Sequence, residues 1–109
     1  MKLKSLEQLT DSVFYIMAAF AQPKHGYAVM SEIEALTEGE VTIGPASLYT
    51  IIKKLIGEDY IVLFDDSDSR RKVYVLTEKG RSVLAGDMDR RQKMIRFAQI
   101  GLEGDVSHD

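Results

Sequence analysis

Residues 61–76 constrain the fold more than any other stretch of the chain. Two short β-branched and aromatic runs, Ile61-Val62-Leu63-Phe64 and Lys72-Val73-Tyr74-Val75-Leu76, flank the wholly polar link Asp65-Asp66-Ser67-Asp68-Ser69-Arg70-Arg71. Such a pattern reads as a β-hairpin. The link is too long for a two-residue turn, so its tip projects as a mobile wing. The longer segments on either side have helical period, so the hairpin reads as a small sheet attached to a helical body.

Before the hairpin, three helices are expected. Leu6, Leu9, Val13, Ile16, Met17 and Phe20 recur at three- and four-residue steps, one face of a helix that begins at Leu6 and ends before Pro23. Pro23-Lys24-His25-Gly26 reads as a turn. A second helix carries Tyr27, Met30, Ile33 and Leu36 on one side and stops near Gly39, and Val41-Thr42-Ile43 is an extended link. In the third helix, Gly44 suits the N-cap and Pro45 the first helical position, where its missing N–H has no intrahelical partner to lose. Leu48, Ile51, Ile52, Leu55 and Ile56 form its apolar stripe, and Asp59, tolerant of the left-handed conformation, ends it.

After the hairpin, Thr77 caps a long final helix with Glu78 in its first turn, where an acid favours the helix dipole. Leu84, Met88, Arg91, Ile95, Ala98 and Leu102 fall at alternating four- and three-residue steps, a heptad-like seam broken only by Arg91. Gly101, Gly104 and the polar ending Asp105-Val106-Ser107-His108-Asp109 read as a frayed tail. The expected fold is thus mainly α with a small β-hairpin: a winged helix-turn-helix over residues 1–80, and a C-terminal dimerisation helix and tail over 81–109, in one compact unit.

Composition removes several function classes. With 109 residues and no cysteine, zinc fingers, iron–sulfur sites, thiol catalysis and disulfide frameworks are excluded. His25 and His108 show no metal-ligand spacing, and no metal or other cofactor is expected. No apolar run approaches a membrane span, and the N-terminus has no signal-peptide pattern, so a soluble cytoplasmic protein without membrane contact is expected. There is no carboxylate pair, Ser/His/Asp set or phosphate-binding glycine loop to support an enzyme. The net charge of −3 argues against indiscriminate nucleic-acid binding. That charge is uneven, however: Glu32, Glu34, Glu38 and Glu40 cluster without a base, whereas Arg70-Arg71-Lys72 is purely basic. A dipolar surface can turn one cationic face to phosphates.

The polar face of the third helix carries Ser47, Tyr49, Thr50, Lys53 and Lys54. In a helix-turn-helix the N-terminal part of that helix faces base edges. Ser47 and Thr50 can donate and accept, Tyr49 offers a phenol and an apolar ring, and the lysines suit phosphates or a guanine. Periodicity alone reads the same face as an ordinary solvated one. Arg70, Arg71 and Lys72 on the wing form a second contact; the plainer alternative is a guard against sheet aggregation, and Asp65, Asp66 and Asp68 must point away for the wing to bind. Tyr27, at the start of the second helix, offers a hydroxyl beside free helix N–H groups, or is a core tyrosine after a turn glycine. Phe14, Met88, Met94 and Phe97 are candidates to line a pocket for a small hydrophobic or aromatic effector; core or interface packing is the plainer explanation.

Three stretches together resemble the PadR family of bacterial winged-helix transcriptional regulators. They are His25-Gly26-Tyr27-Ala28-Val29; Ser47-Leu48-Tyr49 running on to Lys53-Lys54-Leu55 and Tyr60-Ile61; and Arg71-Lys72-Val73-Tyr74-Val75-Leu76-Thr77-Glu78-Lys79-Gly80-Arg81. The resemblance spans roughly residues 10 to 85. It implies a homodimer that binds double-stranded DNA at an inverted-repeat operator and represses a nearby gene, with Tyr49, Lys53 and the 70–72 wing touching DNA. It also implies that the C-terminal helix pairs with the partner's first and last helices. After Leu84 there is room for one further helix, which matches the short form of the family, some members of which bind aromatic or cationic drugs between subunits. Two other readings stay open on the residues alone: a winged-helix module for protein–protein contact, and a small-molecule sensor with weak DNA binding.

Overall fold

The computed structural model describes residues 8–68 and 70–104. Four helices and three short strands run in the order α1 (Asp11–Ala19), β1 (Lys24–His25), α2 (Gly26–Leu36), α3 (Pro45–Gly57), β2 (Ile61–Asp65), β3 (Val73–Leu76) and α4 (Glu78–Glu103). The strands form one antiparallel sheet in the order β1-β3-β2. This is a winged helix-turn-helix with a long C-terminal helix.

α1 begins later than its hydrophobic period implies. Thr10 caps it, its hydroxyl accepting from the Val13 N–H at 3.2 Å, so Leu9 lies outside the helix yet is buried. The expected start at Leu6 falls outside the described residues, as do the expected tail 105–109 and Ser69 in the wing. Lys24 and His25 do not form a turn but a two-residue strand paired with Val73 and Tyr74. Two residues are too few to show a period, and only the neighbouring strand makes them extended.

α2 turns a different face inward than expected. Gly26, Val29 and Ile33 are buried, whereas Tyr27 and Leu36 are exposed. Steps of three drift around a helix of 3.6 residues per turn, so a stripe counted from Tyr27 misses the inner face. In α3 the expected stripe is centred correctly: Leu48, Ile52 and Leu55 are buried, while Ile51 and Ile56 at its edges are half-buried and exposed. Between α2 and α3, Gly39 takes φ +80°, and the Thr37 hydroxyl donates to Ile33 O at 2.8 Å while accepting from the Val41 N–H at 3.0 Å. These contacts fix the tight turn that sets α3 against α2. Asp59 does adopt the left-handed conformation, with φ 66°.

The core gathers Ile16, Met17 and Phe20 of α1, Val29 and Ile33 of α2, Leu48, Ile52 and Leu55 of α3, and Ile61 and Leu76 of the sheet. Phe20 packs edge-on against Tyr74, and its carbonyl accepts the Leu76 N–H at 2.9 Å. The root of α4 is tied down by Thr77. Its hydroxyl donates to Asp59 O at 2.6 Å and accepts from the Gly80 N–H at 2.9 Å, while its own N–H donates to Tyr60 O. A Cβ on Gly80 would run into that Tyr60 carbonyl, so glycine is required by the close approach of helix to strand.

Candidate nucleic-acid interface

α3 is positioned by backbone chemistry at its start. Gly44 takes extended backbone at the N-cap without a side-chain cap bond, and Pro45 opens the helix. With Leu48, Ile52 and Leu55 turned into the core, Ser47, Tyr49, Thr50, Lys53 and Lys54 are all exposed. Ser47 and Thr50, one turn apart, line an open depression of ≈ 300 Å³ together with Ala46 and Ile51. Two hydroxyls that both donate and accept therefore face solvent from the first turns of this helix.

Tyr49 is 51% exposed, and the phenol end of its ring lies on Gly26, the first residue of α2. Tyr27, next in sequence, is 68% exposed. The His-Gly-Tyr and Leu-Tyr segments thus meet at one place on the surface. His25 contributes differently from a phosphate-facing loop: its Nδ1 accepts from the Ala28 N–H at 3.3 Å, capping α2 and occupying one N–H of that helix end.

On the wing, Arg70, Arg71 and Lys72 are exposed, and Lys72 precedes β3 instead of starting it. Two of the aspartates beside them, Asp65 and Asp68, bond to the wing's own backbone. Asp65 Oδ1 accepts from the Ser67 N–H at 2.9 Å and Asp68 Oδ1 from the Arg70 N–H at 3.0 Å. The hydrogen bonds from the Ser67 backbone and hydroxyl hold the Asp65 carboxyl below its ordinary value. Among the described residues, no ion pair joins these aspartates to Arg70, Arg71 or Lys72. Asp65 and Asp68 thus shape the wing's turn.

α4 divides the expected seam in two. Leu84 is 8% exposed and belongs to the protomer's own core, so it is not available to a partner. Arg91, the one charge in that seam, faces α1. Its Nε donates to Asp87 Oδ2 at 2.7 Å, its Nη2 to Leu9 O at 3.0 Å and its Nη1 to Asp11 Oδ1 at 3.0 Å, while the guanidinium lies 4.5 Å from the centre of the Phe14 ring. Asp87, whose side chain is inaccessible to solvent, also accepts from Arg90 Nε at 2.9 Å and the Leu9 N–H at 3.3 Å. Burial pushes its carboxyl up, but hydrogen bonds from Arg91, Arg90 and Leu9 outweigh that and leave it below the ordinary carboxylate range. The Arg91 guanidinium is correspondingly raised, chiefly by its hydrogen bond to Asp87. Sequence reasoning missed this cluster, although Asp87 and Arg91 stand four apart on one helix, the spacing of an intrahelical ion pair.

Met88, Ile95, Ala98 and Leu102 remain exposed, with Met94, Phe97 and Ile100 around them. Met88 and Phe97 are nine residues apart, two and a half turns, and so lie on opposite sides of α4. With Phe14 half-buried under Arg91, one protomer does not bring Phe14, Met88, Met94 and Phe97 around a single pocket. Among the described residues no cluster of metal-binding side chains is formed, and no helix is long and apolar enough to cross a membrane.

Comparison with known proteins agrees with this geometry. The profile of the transcriptional regulator PadR-like family matches residues 13–86, from α1 through the first turns of α4 and more than half of the chain. A transcriptional regulator from Clostridium thermocellum superposes with a TM-score of 0.69 at 17% identity, over 80% of this chain and 88% of that one. A protein of Streptococcus mutans UA159 gives 0.69 at 24% identity, over 89% and 91%. A PadR family transcriptional regulator from Eggerthella lenta gives 0.68 at 22% identity, over 86% and 83%. No curated protein matches the chain in sequence.

Proposed function

The chain belongs to the PadR-like family of transcriptional regulators, and from that premise we propose that it is a sequence-specific DNA-binding repressor acting as a homodimer on an inverted-repeat operator. The observation that carries this reading is the single exposed face of α3. It presents Ser47, Tyr49, Thr50, Lys53 and Lys54 together, beside Tyr27 and a wing whose Arg70, Arg71 and Lys72 are free of ion pairs among the described residues. A helix of this kind fits the major groove, and a cationic hairpin beside it grips the backbone.

In this reading Ser47 and Thr50 read base edges, and Tyr49, Lys53 and Lys54 combine base and phosphate contacts. Tyr27 and residues 70–72 hold phosphates. Residues 1–80 form the DNA-binding part and 81–109 the dimerisation part, though α4 itself starts at Glu78, before that boundary. Met88, Ile95, Ala98 and Leu102 supply the dimer seam, because a stripe this apolar is poorly left in water. Met94 flanks it, where a small hydrophobic or aromatic effector can enter between subunits and relieve repression, whereas Phe97 lies on the far side of α4 and would meet such an effector only from another direction. As a regulator of this kind the protein works in the bacterial cytoplasm, where its DNA is.

A gel shift on the DNA upstream of its own gene tests the proposal. Retarded DNA that resists excess non-specific competitor is expected. Absence of any shift at micromolar protein and low salt would return the winged helix to the protein–protein or small-molecule-sensing readings.

A further inference from the structure

We infer that Asp87 and Arg91 are positioning residues that fix the angle between the DNA-reading body and α4, and through it the half-site spacing that a dimer accepts. The inference rests on the DNA-binding reading above and adds a specificity determinant to it.

The clamp grips one residue from both sides. Asp87 takes the Leu9 N–H and Arg91 takes the Leu9 carbonyl, so two side chains of α4 hold the backbone just before α1 as a neighbouring strand would. Arg91 adds Asp11 at the start of α1 and covers the Phe14 ring one turn on. Leu9 also lines, with Val13, Ile51, Leu55 and Tyr60, a crevice of ≈ 90 Å³ between α1 and α3. The clamp therefore sits where α4, the entry to α1 and the base-reading helix converge.

Beyond it, among the described residues, α4 receives no further support, since residues 92–104 are all exposed. Among the described residues Arg91 is the last side chain that ties the helix to the body. From Arg91 to Glu103 the helix extends about 18 Å at 1.5 Å per residue. Rotating it by about 10° at the clamp moves its end by about 3 Å, close to the roughly 3.4 Å rise of one base step. In a two-fold dimer the separation of the two reading helices sets the half-site spacing. A loosened clamp should blur spacing without altering which bases each half-site prefers.

The chain has no cysteine, so a single pair of spin labels reports the angle directly. Ser31→Cys on α2 and Gln99→Cys on α4 are both exposed sites. Labelled chains diluted in unlabelled protein give the distance within one chain whether or not it dimerises. A narrow distribution is expected for the parent and one at least twice as wide for Asp87→Asn or Arg91→Ala. Arg91→Lys, which keeps the charge but not the three-way grip, should fall between and guards against loss of folding in the harsher variants. Lys93→Ala, which removes only the exposed pair with Asp89, should match the parent.

In parallel, operators are selected from inverted repeats with randomised spacers. The parent should select one spacing, and the clamp variants should accept one or two base pairs on either side with unchanged half-site bases. A folded variant with lower thermal stability but parental width and spacing would overturn the inference, since a purely structural role predicts that result. If the parent selects an operator and the variants keep its spacing, the inference fails while DNA binding stands. If the parent selects none, DNA binding fails, and the distance widths alone decide whether the clamp fixes the angle.

Discussion

The Tyr49 ring lies against the backbone of Gly26, so close that a Cβ there would stand 2.9 Å from the phenol oxygen. The first residue of α2 is thus the seat of the aromatic side chain on the exposed face of α3. The contact explains why the segments containing these residues carry a joint signal: the glycine of one is the platform for the tyrosine of the other.

Gly26→Ala and Gly80→Ala should therefore fail in different ways. At Gly26 the obstacle is a half-exposed ring that can swing into solvent, so stability should change by less than about 1 kcal/mol. DNA affinity should nevertheless fall up to about tenfold, the size of one lost hydrogen bond. At Gly80 the obstacle is the Tyr60 backbone carbonyl, which cannot swing away. Overpacking there should cost about 1–3 kcal/mol, lowering Tm by several degrees. Thermal melts and operator titrations on both variants check the contrast; equal affinity loss per degree of Tm in the two would contradict it.

Element types and order were legible because α3 has strong boundary chemistry at Gly44-Pro45 and because the polar link separates two β-branched runs. Faces were less legible. Tyr27 and Leu36 fit a three-residue step, yet packing selects Gly26, Val29 and Ile33, since only the small Gly26 lets Tyr49 close over α2. β1 was hidden because Lys24 and His25 become a strand only by pairing with β3, a contact some fifty residues away. Arg91 was misread for a related reason. A charge in an apolar repeat looks like an interruption until α1 is placed beside it with Leu9 O and Asp11 as partners. On the wing, a local sequence count gives the charges but does not show that Asp65 and Asp68 bond to the backbone of their own turn two residues on.

The Asp87 cluster gives stability a definite pH dependence. The groups facing it are Arg90 and Arg91, with Asp11 on the far side of Arg91. Its carboxyl titrates lower in the folded chain than in the unfolded one. The contribution is thus complete above the ordinary aspartate value of about 3.9 and is lost as pH falls through the lower folded value. Asp87→Asn weakens the charge-assisted hydrogen bonds to two part-exposed guanidiniums and should cost about 1–2 kcal/mol at pH 7. Denaturant titrations of parent and variant from pH 7 to pH 2.5 should show the gap constant down to about pH 4 and shrinking below it. A gap that widens on acidification would reverse the sign argued here.

Phosphate contacts should make binding steeply salt-dependent. Each subunit offers Lys53, Lys54, Arg70, Arg71 and Lys72, all exposed. If a dimer neutralises about six to ten phosphates, affinity should fall by roughly a thousandfold or more between 50 and 200 mM salt. A nearly flat response in a fluorescence titration would take the wing out of the interface.

Ile95→Glu should separate dimerisation from folding. Ile95 is exposed in the protomer, so glutamate there leaves the core of Ile16, Phe20 and Leu48 untouched. In the proposed seam the same change buries an unpaired charge against apolar partners. Sedimentation at micromolar concentration should show a dimer for the parent and a folded monomer for the variant. A monomeric parent would leave the exposed stripe without this explanation.

Reading and gripping should separate along α3 and the wing. Thr50 lines the depression at the start of α3 together with Ser47, whereas Lys72 lies at the base of the wing, just before β3. Losing a hydroxyl that faces a base edge changes the ranking of sequences; losing a phosphate contact weakens all of them. Thr50→Ala should therefore shift preference among single-base operator variants by roughly 1–3 kcal/mol at one base step. Lys72→Ala should lower affinity about equally for every variant and reduce the salt slope by about one. Competition binding across a panel of operator variants measures both at once. If Thr50→Ala leaves relative preferences unchanged while Lys72→Ala alters them, the wing reads the sequence and α3 only holds the duplex.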